Sequence, residues 1–283
     1  MDFALFDWLL HLNDVIQGTI MKLKKLLSAA LVAGSMLVAS AASAFPIFTV
    51  NSTPFGGKIF QADRLTGGYE EALTITSAST FDVSILIEVA QYFNSTAGPS
   101  SVGGTGLGTS AGNYGLYALF NGTGNFSTTG GTSTFALNAG GPLNFYLDPN
   151  AGNAGRTTFV RPTTGATPYG RVAFGDDILL ATGSSQFGDG NLTCTGSSNN
   201  CGSFGQTTSF NLTGPGSAFF TAPNPFYNLA ITTGQFNGFP IVVGRTQILS
   251  GSADTVFRVP EPTSVALLGL ALVGLGVVRR RKA

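Results

Sequence analysis

The sequence is poor in the side chains that enzymes use for proton transfer near neutral pH. Its single histidine is His11, and its single tryptophan and all three methionines also precede residue 45. Histidine is the side chain whose ordinary pKa lies in that range. We therefore expect residues 45–258 to hold no catalytic residues and no cofactor, and the protein not to be an enzyme.

Charge is also scarce, since charged residues make up 10% of the chain. Residues 45–258 carry ten acidic side chains and seven basic ones, and the basic ones form no stripe along the sequence. Proteins that bind nucleic acid collect basic side chains against the phosphates. We therefore expect no nucleic-acid partner.

Few carboxylates are placed to act together. Glu70 with Glu71, and Asp176 with Asp177, are adjacent pairs, and neighbouring residues on a strand point to opposite faces. A secreted hydrolase, which needs converging carboxylates, is therefore the weaker alternative.

The pair Asp176 and Asp177, together with Asp189, could offer oxygens to Ca²⁺, but the spacing is not that of an EF-hand. We predict capped turns there and no metal site.

The N-terminal part has the layout of a secretory signal peptide. Residues 21–44 contain a cluster of lysines, an apolar stretch, and the small residues Ala42 and Ala44 before Phe45. This order predicts export by the general secretion machinery and cleavage that leaves Phe45 as the new N-terminus. Residues 1–20 precede the signal, and we predict that they are a non-native upstream extension.

The C-terminal part combines a short motif, an apolar run and a basic cluster. The motif is Val259, Pro260, Glu261 and Pro262, and the basic cluster is Arg279, Arg280, Arg281 and Lys282. As a helix the apolar run 265–278 would rise about 21 Å, whereas the hydrocarbon core of a bilayer is about 30 Å thick. The run predicts a short transmembrane helix in the inner membrane with its basic end in the cytoplasm. Transient residence is favoured, and a permanent tail anchor is the alternative.

Residues 259–283 resemble the PEP-CTERM sorting signal in order, spacing and terminal position. The resemblance implies exosortase as a partner, which would process the tail near Pro260–Pro262. It also implies that the exported part reaches the cell surface or an exopolysaccharide matrix.

The exported part, residues 45–258, shows the pattern of short strands. Phe81, Val83 and Ile85 alternate with polar residues, so they share one face of a half-buried strand. About ten such runs, separated by Gly, Asn, Ser and Pro, predict an all-β fold. We expect an antiparallel β-sandwich of jelly-roll type, flanked by an N-terminal signal helix and a C-terminal hydrophobic helix.

Three stretches rich in Gly, Ser, Thr and Asn predict long loops at 94–113, 150–168 and 183–205. Loops of this length are usually functional or disordered. The last one contains Cys194 and Cys201, the two cysteines of the chain. In an exported protein this spacing predicts a structural disulfide.

Several short motifs in residues 45–258 are similar to those of flocculation-associated PEP-CTERM proteins. They are Thr66–Glu71, Tyr114–Phe120, Gly190–Leu192, Phe219–Phe220 and Pro223–Tyr227. The resemblance implies aggregation of cells within exopolysaccharide, with that glycan or another surface glycan as the partner. The alternatives are a carbohydrate-binding module, with or without Ca²⁺, then a hydrolase or an ice-binding protein.

Overall fold

The computed structural model describes residues 45–98, 100–194, 201–233 and 236–258. These residues form fifteen strands, one short α-helix (α1) and one 3₁₀ turn. The strands are β1 Phe48–Asn51, β2 Ile59–Ala62, β3 Arg64–Ile75, β4 Thr80–Phe93, β5 Gly115–Thr129, β6 Thr132–Leu137, β7 Pro142–Asp148, β8 Thr158–Val160, β9 Gly170–Val172, β10 Ile178–Leu192, β11 Gly202–Thr208, β12 Asn211–Leu212, β13 Phe220–Ala222, β14 Asn228–Thr233 and β15 Thr246–Arg258; α1 is Gly214–Phe219 and the 3₁₀ turn is Thr53–Phe55.

The main sheet is antiparallel and closes on itself. Going round the ring, β3 pairs with β4, β4 with β5, β10 with β11, β11 with β14, β14 with β15, and β15 with β3. Strands β6 and β7 fill one position end to end, because each pairs with β5 on one side and with β10 on the other. The result is an eight-strand barrel.

The predicted sandwich is therefore wrong, although the all-β prediction is confirmed. The difference arises at β10, which is fifteen residues long. Its first half pairs with β7, its second half pairs with both β6 and β11, and register shifts follow Leu179 and Ser185. Bulges of this kind bend a strand. One bent strand thus joins both ends of a sheet that would otherwise form two separate layers.

Phenylalanine fills the inside of the barrel. In β4 the inward positions Phe81, Val83, Ile85 and Ile87 are all buried, as the alternating pattern predicts. Aromatic rings meet edge to face in the core, which is a favourable arrangement. An example is Phe48 against Phe257, whose ring centroids are 4.7 Å apart.

One glycine shows how closely this interior is packed. A Cβ atom at Gly124 on β5 would lie 2.2 Å from the ring of Phe81 and 2.5 Å from the carbonyl oxygen of Ala136. Real side chains do not approach so closely, and overpacking a core costs about 1–3 kcal/mol. A glycine at this position therefore leaves room for the phenylalanine ring.

Two smaller sheets are not hydrogen-bonded into the ring. Strands β13, β1 and β2 form one of them, and its Phe48, Val50 and Phe220 are part of the main core; β8 and β9 form a short hairpin. The helix α1 begins after Thr213, whose hydroxyl accepts a hydrogen bond from the N–H of Gly216 at 3.1 Å. This is a normal N-terminal cap.

Two of the three predicted loops agree with the structure, and the third largely does not. The segment between β4 and β5, which contains all of 94–113, is irregular where the structure describes it, and 150–168 is interrupted only by β8. The prediction of a loop at 183–205 is wrong for most of the described residues, because those up to Leu192 belong to β10 and those from Gly202 belong to β11, whereas Thr193, Cys194 and Cys201 lie between the strands. Inward glycines such as Gly188 and Gly190 gave that segment the composition of a loop.

The predicted signal helix and C-terminal helix lie outside the described residues. Among the helices that are described, none has the length and apolar character needed to cross a membrane.

Candidate functional site

The two irregular segments meet on the outer surface of β3, β4 and β5. A Cβ atom at Gly152 would lie only 1.7 Å from the carbonyl oxygen of Ser110. The backbones of segments 94–114 and 149–157 are thus in direct contact, which a side chain at position 152 would prevent. The contact forms one wall of a surface cleft that we call the outer cleft.

The outer cleft has a volume of about 450 Å³. Its apolar lining includes Val89, Leu107, Leu116 and Phe159, and its polar lining includes Glu88, Thr109, Asp148, Arg156 and Thr157. This size and mixture of surfaces are typical of small-ligand sites.

Glu88 and Arg156 are the exposed charged residues of the outer cleft. Neither side chain forms a hydrogen bond or a close ion pair with another described residue. Desolvation by the surrounding protein raises the pKa of the Glu88 carboxyl, the charge of Arg156 lowers it, and that of Glu70 raises it. The two groups are therefore available to hydrogen-bond a ligand over an apolar floor.

Aromatic stacking fixes the floor of the outer cleft. The ring of Tyr117 on β5 stacks on Tyr146 of β7 with centroids 5.1 Å apart, and meets Phe159 of β8 edge to face at 4.9 Å. The guanidinium of Arg171 lies 4.2 Å above the Tyr146 ring. Such cation–π contacts favour a fixed geometry. Phe159 is therefore held in place from beneath.

Asp177 ties this segment to the barrel. Its carboxylate accepts hydrogen bonds from the hydroxyl of Tyr117 and, at 2.8 Å, from that of Thr157, and Arg171 lies 3.4 Å away. Desolvation raises the pKa of Asp177, whereas the two hydroxyl donors lower it. Desolvation and, to a smaller extent, the hydrogen bond to Asp177 raise the pKa of Tyr117.

Three carboxylates come together here, and one oxygen from each of Asp148, Asp176 and Asp177 lies within 4.8 Å of the others. The Asp148 carboxylate, however, already accepts the N–H groups of Asn150 at 2.8 Å and Thr157 at 2.9 Å. Asp189 is elsewhere, on the part of β10 that pairs with β6 and β11. The cluster serves as an anchor for residues 149–177, and the expectation of no metal site stays a prediction.

Glu70 and Glu71 point to opposite sides of β3, as their adjacency predicts. Outside the barrel, Glu70 accepts hydrogen bonds from Arg161, whose Nε is at 2.8 Å, and from the hydroxyl of Tyr169 at 2.9 Å. The hydrogen bond from Arg161 is the main cause of a lowered pKa at Glu70. These contacts hold the middle of the 149–177 segment on the sheet.

Inside the barrel, Glu71 is 6% exposed and lines a small, mainly apolar cavity with Phe204, Phe236 and Phe239. Burial raises the pKa of Glu71 to about 7, and burial is also the main cause of the rise at Tyr69, to about 12. No hydrogen bond between Glu71 and another described residue offsets the burial.

The predicted disulfide between Cys194 and Cys201 is present, with Cα atoms 5.5 Å apart. It lies at the ends of β10 and β11. Phe45, the expected new N-terminus, is the first described residue, and it is exposed. Outside the described residues lie the other predicted processing and sorting residues, namely Ala42, Ala44, Val259, Pro260, Glu261, Pro262, Arg279, Arg280 and Arg281.

Sequence reasoning did not identify Glu88, Arg156 and Phe159 as site residues. One signal was present, since Glu88 interrupts an otherwise apolar run in β4. Its position over the cleft depends on segments that are distant in sequence. Four tyrosines of the exported part, Tyr69, Tyr114, Tyr117 and Tyr169, are buried.

The described residues thus form a closed, antiparallel all-β domain. Its surface cleft, with a polar rim, is a candidate ligand site. The description of the PEP-CTERM protein-sorting motif matches residues 258–282. The chain thus carries the PEP-CTERM protein-sorting motif, which indicates a surface protein that is exported, held transiently in the membrane and sorted by exosortase. Neither curated proteins nor solved structures give a match.

Proposed function

We propose that this protein is a non-enzymatic surface or matrix protein that promotes cell aggregation by binding exopolysaccharide in the outer cleft. The observation that carries the proposal is the placement of Glu88 and Arg156 beside the fixed ring of Phe159, since neither side chain forms a hydrogen bond with another residue that the structure describes. Sugar hydroxyls can hydrogen-bond both charged groups while a sugar ring covers the apolar floor.

Weak binding at one cleft is sufficient for such a role. When many copies sit on one cell and many repeats occur on one polymer, each further contact becomes intramolecular, and the overall avidity rises by orders of magnitude. The sorting motif supports export and sorting to the cell surface, where this multivalency would apply.

Affinity electrophoresis in gels that contain the exopolysaccharide of the producing cells tests the proposal. We expect the polymer to retard the unmodified protein, and the variants Arg156→Ala and Phe159→Ala to lose most of this retardation. A hydrogen bond to a charged group contributes about 1.5–3 kcal/mol, which is roughly tenfold or more in Kd. The matched control is Arg245→Ala, since Arg245 is also exposed but does not line the outer cleft.

The same variants should then be expressed in cells that lack the protein, and the settling of the cells measured. Arg245→Ala should restore aggregation, whereas the double variant Arg156→Ala, Phe159→Ala should not. Equal retardation of all variants would place glycan binding elsewhere on the surface. Release of reducing sugar that disappears in Glu88→Gln would show a hydrolase, and loss of retardation on chelation would show a Ca²⁺-dependent binding module.

A further inference from the structure

Both ends of the described domain lie at one end of the barrel. The rings of Phe48, near the first described residue, and of Phe257, next to the last, are 4.7 Å apart. Asn228 pairs with Arg258, and the hydroxyl of Tyr227 donates a hydrogen bond to the carbonyl oxygen of Ile47 at 3.2 Å. We call this end, with Phe45, Ile47, Tyr227 and Arg258, the terminal rim.

The distance from the terminal rim to the membrane is limited by the length of chain that follows Arg258. Strand β15 ends at Arg258, and six residues, 259–264, precede the apolar run 265–278. Six residues reach at most about 21 Å even when fully extended. Strand β3, with twelve residues, is about 40 Å long at 3.3 Å per residue. While the tail is in the membrane, the terminal rim is therefore the nearest part of the barrel to it.

The exposed side chains of the terminal rim suit a lipid surface. Phe45 is 44% exposed and Ile47 is 37% exposed, although both are apolar. The partly exposed ring of Tyr227 lies beside them, and Arg258 is exposed. Aromatic residues and arginine are favoured at the boundary between lipid and water, where an apolar body and a polar tip are both accommodated.

Exposed apolar residues also occur at the opposite end of the barrel. Val243 is 58% exposed there, and the neighbouring Gly244 donates a hydrogen bond to the carbonyl oxygen of Ile75, the last residue of β3. Exposure by itself therefore does not show which end of the barrel faces the membrane. The short connection to the tail decides this, because it brings only the terminal rim to the membrane.

We propose that the terminal rim docks on the anionic lipid surface of the membrane while the sorting tail is in place. Phe45 and Ile47 enter the headgroup region, and Arg258 meets the lipid phosphates. Removal of the tail ends the confinement, so that the docked domain is released to the surface.

Fluorescence quenching by brominated lipids tests this docking. The signal-processed, tail-intact chain 45–283, which contains no tryptophan, carries one new reporter, either Ile47→Trp at the terminal rim or Val243→Trp at the opposite end. Both variants are reconstituted into vesicles that contain phosphatidylglycerol, with or without bromine on the acyl chains. We expect the reporter at position 47 to lose most of its fluorescence in brominated vesicles, and the reporter at position 243 to keep it.

Circular dichroism shows whether each variant has kept the β-fold, and Tyr227→Trp serves as a second rim reporter if Ile47→Trp does not fold. Absence of quenching at the terminal rim in vesicles would overturn the proposal. This holds even if a membrane protein holds the rim in cells, because the proposal requires the lipid surface alone to be sufficient. Equal quenching at both ends would also overturn it, since the barrel would then have no fixed orientation.

Discussion

Replacing the buried Glu71 with glutamine should stabilise the folded protein at neutral pH. Burial inside the barrel raises the pKa of Glu71 from its ordinary value of 4.5 to about 7. Glutamine has nearly the same shape and carries no charge, so the substitution removes the cost of an ionised group in an apolar cavity.

The size and pH dependence of the effect follow from this rise in pKa. Between pH 4.5 and 7 the folded state binds more protons than the unfolded state, so the free energy of unfolding falls as the pH increases through this window. Each pKa unit corresponds to about 1.4 kcal/mol, which gives a total loss of about 3 kcal/mol above pH 7. Glu71→Gln should not show this loss, while all other titrating groups contribute equally to both proteins.

Urea unfolding at pH 4, 6 and 8, with the disulfide kept oxidised, measures the difference between the two proteins. The stability of Glu71→Gln relative to the unmodified protein should rise by about 3 kcal/mol from pH 4 to pH 8. Glu70→Gln is the control, because the hydrogen bond from Arg161 lowers the pKa of Glu70. The stability that Glu70 contributes is present above pH 4.5 and is lost on acidification, so its difference curve has the opposite slope. A flat difference for Glu71→Gln would refute the reasoning.

Three further predictions concern the outer cleft and its supports. Gly152→Ala should separate the two segments that form the cleft wall, because its Cβ would lie 1.7 Å from the carbonyl oxygen of Ser110; glycan retardation should fall, and unchanged retardation would contradict this. Asp177→Asn weakens the attachment of residues 149–177 through Arg171 and Tyr117, so amide hydrogen exchange there should increase while exchange in β15 stays the same. The double variant Cys194→Ser, Cys201→Ser opens a short loop, which should lower the free energy of unfolding by about 2.5 kcal/mol on the loop-entropy estimate. Calorimetry of the variant and the unmodified protein, with and without a reducing agent, checks this loss. An equal effect of the reducing agent on the two proteins would argue against it.

The strands themselves could be predicted from the sequence, because their signal is local. Phe81, Val83 and Ile85 alternate with polar residues, and the structure places them inside the barrel. A strand with one buried face, however, fits a sandwich and a barrel equally well. The choice depends on β10, whose pairing with β6, β7 and β11 involves contacts between residues far apart in the chain.

Less of the candidate site than of the strands could be predicted from the sequence. Composition marked the segments 94–113 and 150–168 as long loops, and the structure brings them into direct contact at Gly152, where they form one wall of the outer cleft. That Arg156 and Glu88 would share a cleft could not be derived, since it depends on how residues 149–177 fold back over the sheet. The burial of Glu71 was missed for a similar reason, because a charged residue next to Glu70 is typical of an exposed strand.

Closure of the main sheet limits how neighbouring copies can join. A free strand edge offers unpaired N–H and C=O groups on which another chain can add by hydrogen bonding, and such growth is hard to reverse. In the ring from β3 to β15 each long strand already has a partner on both sides. Copies crowded on one cell would thus touch mainly through side chains, and a layer built in this way could be taken apart as readily as it was formed.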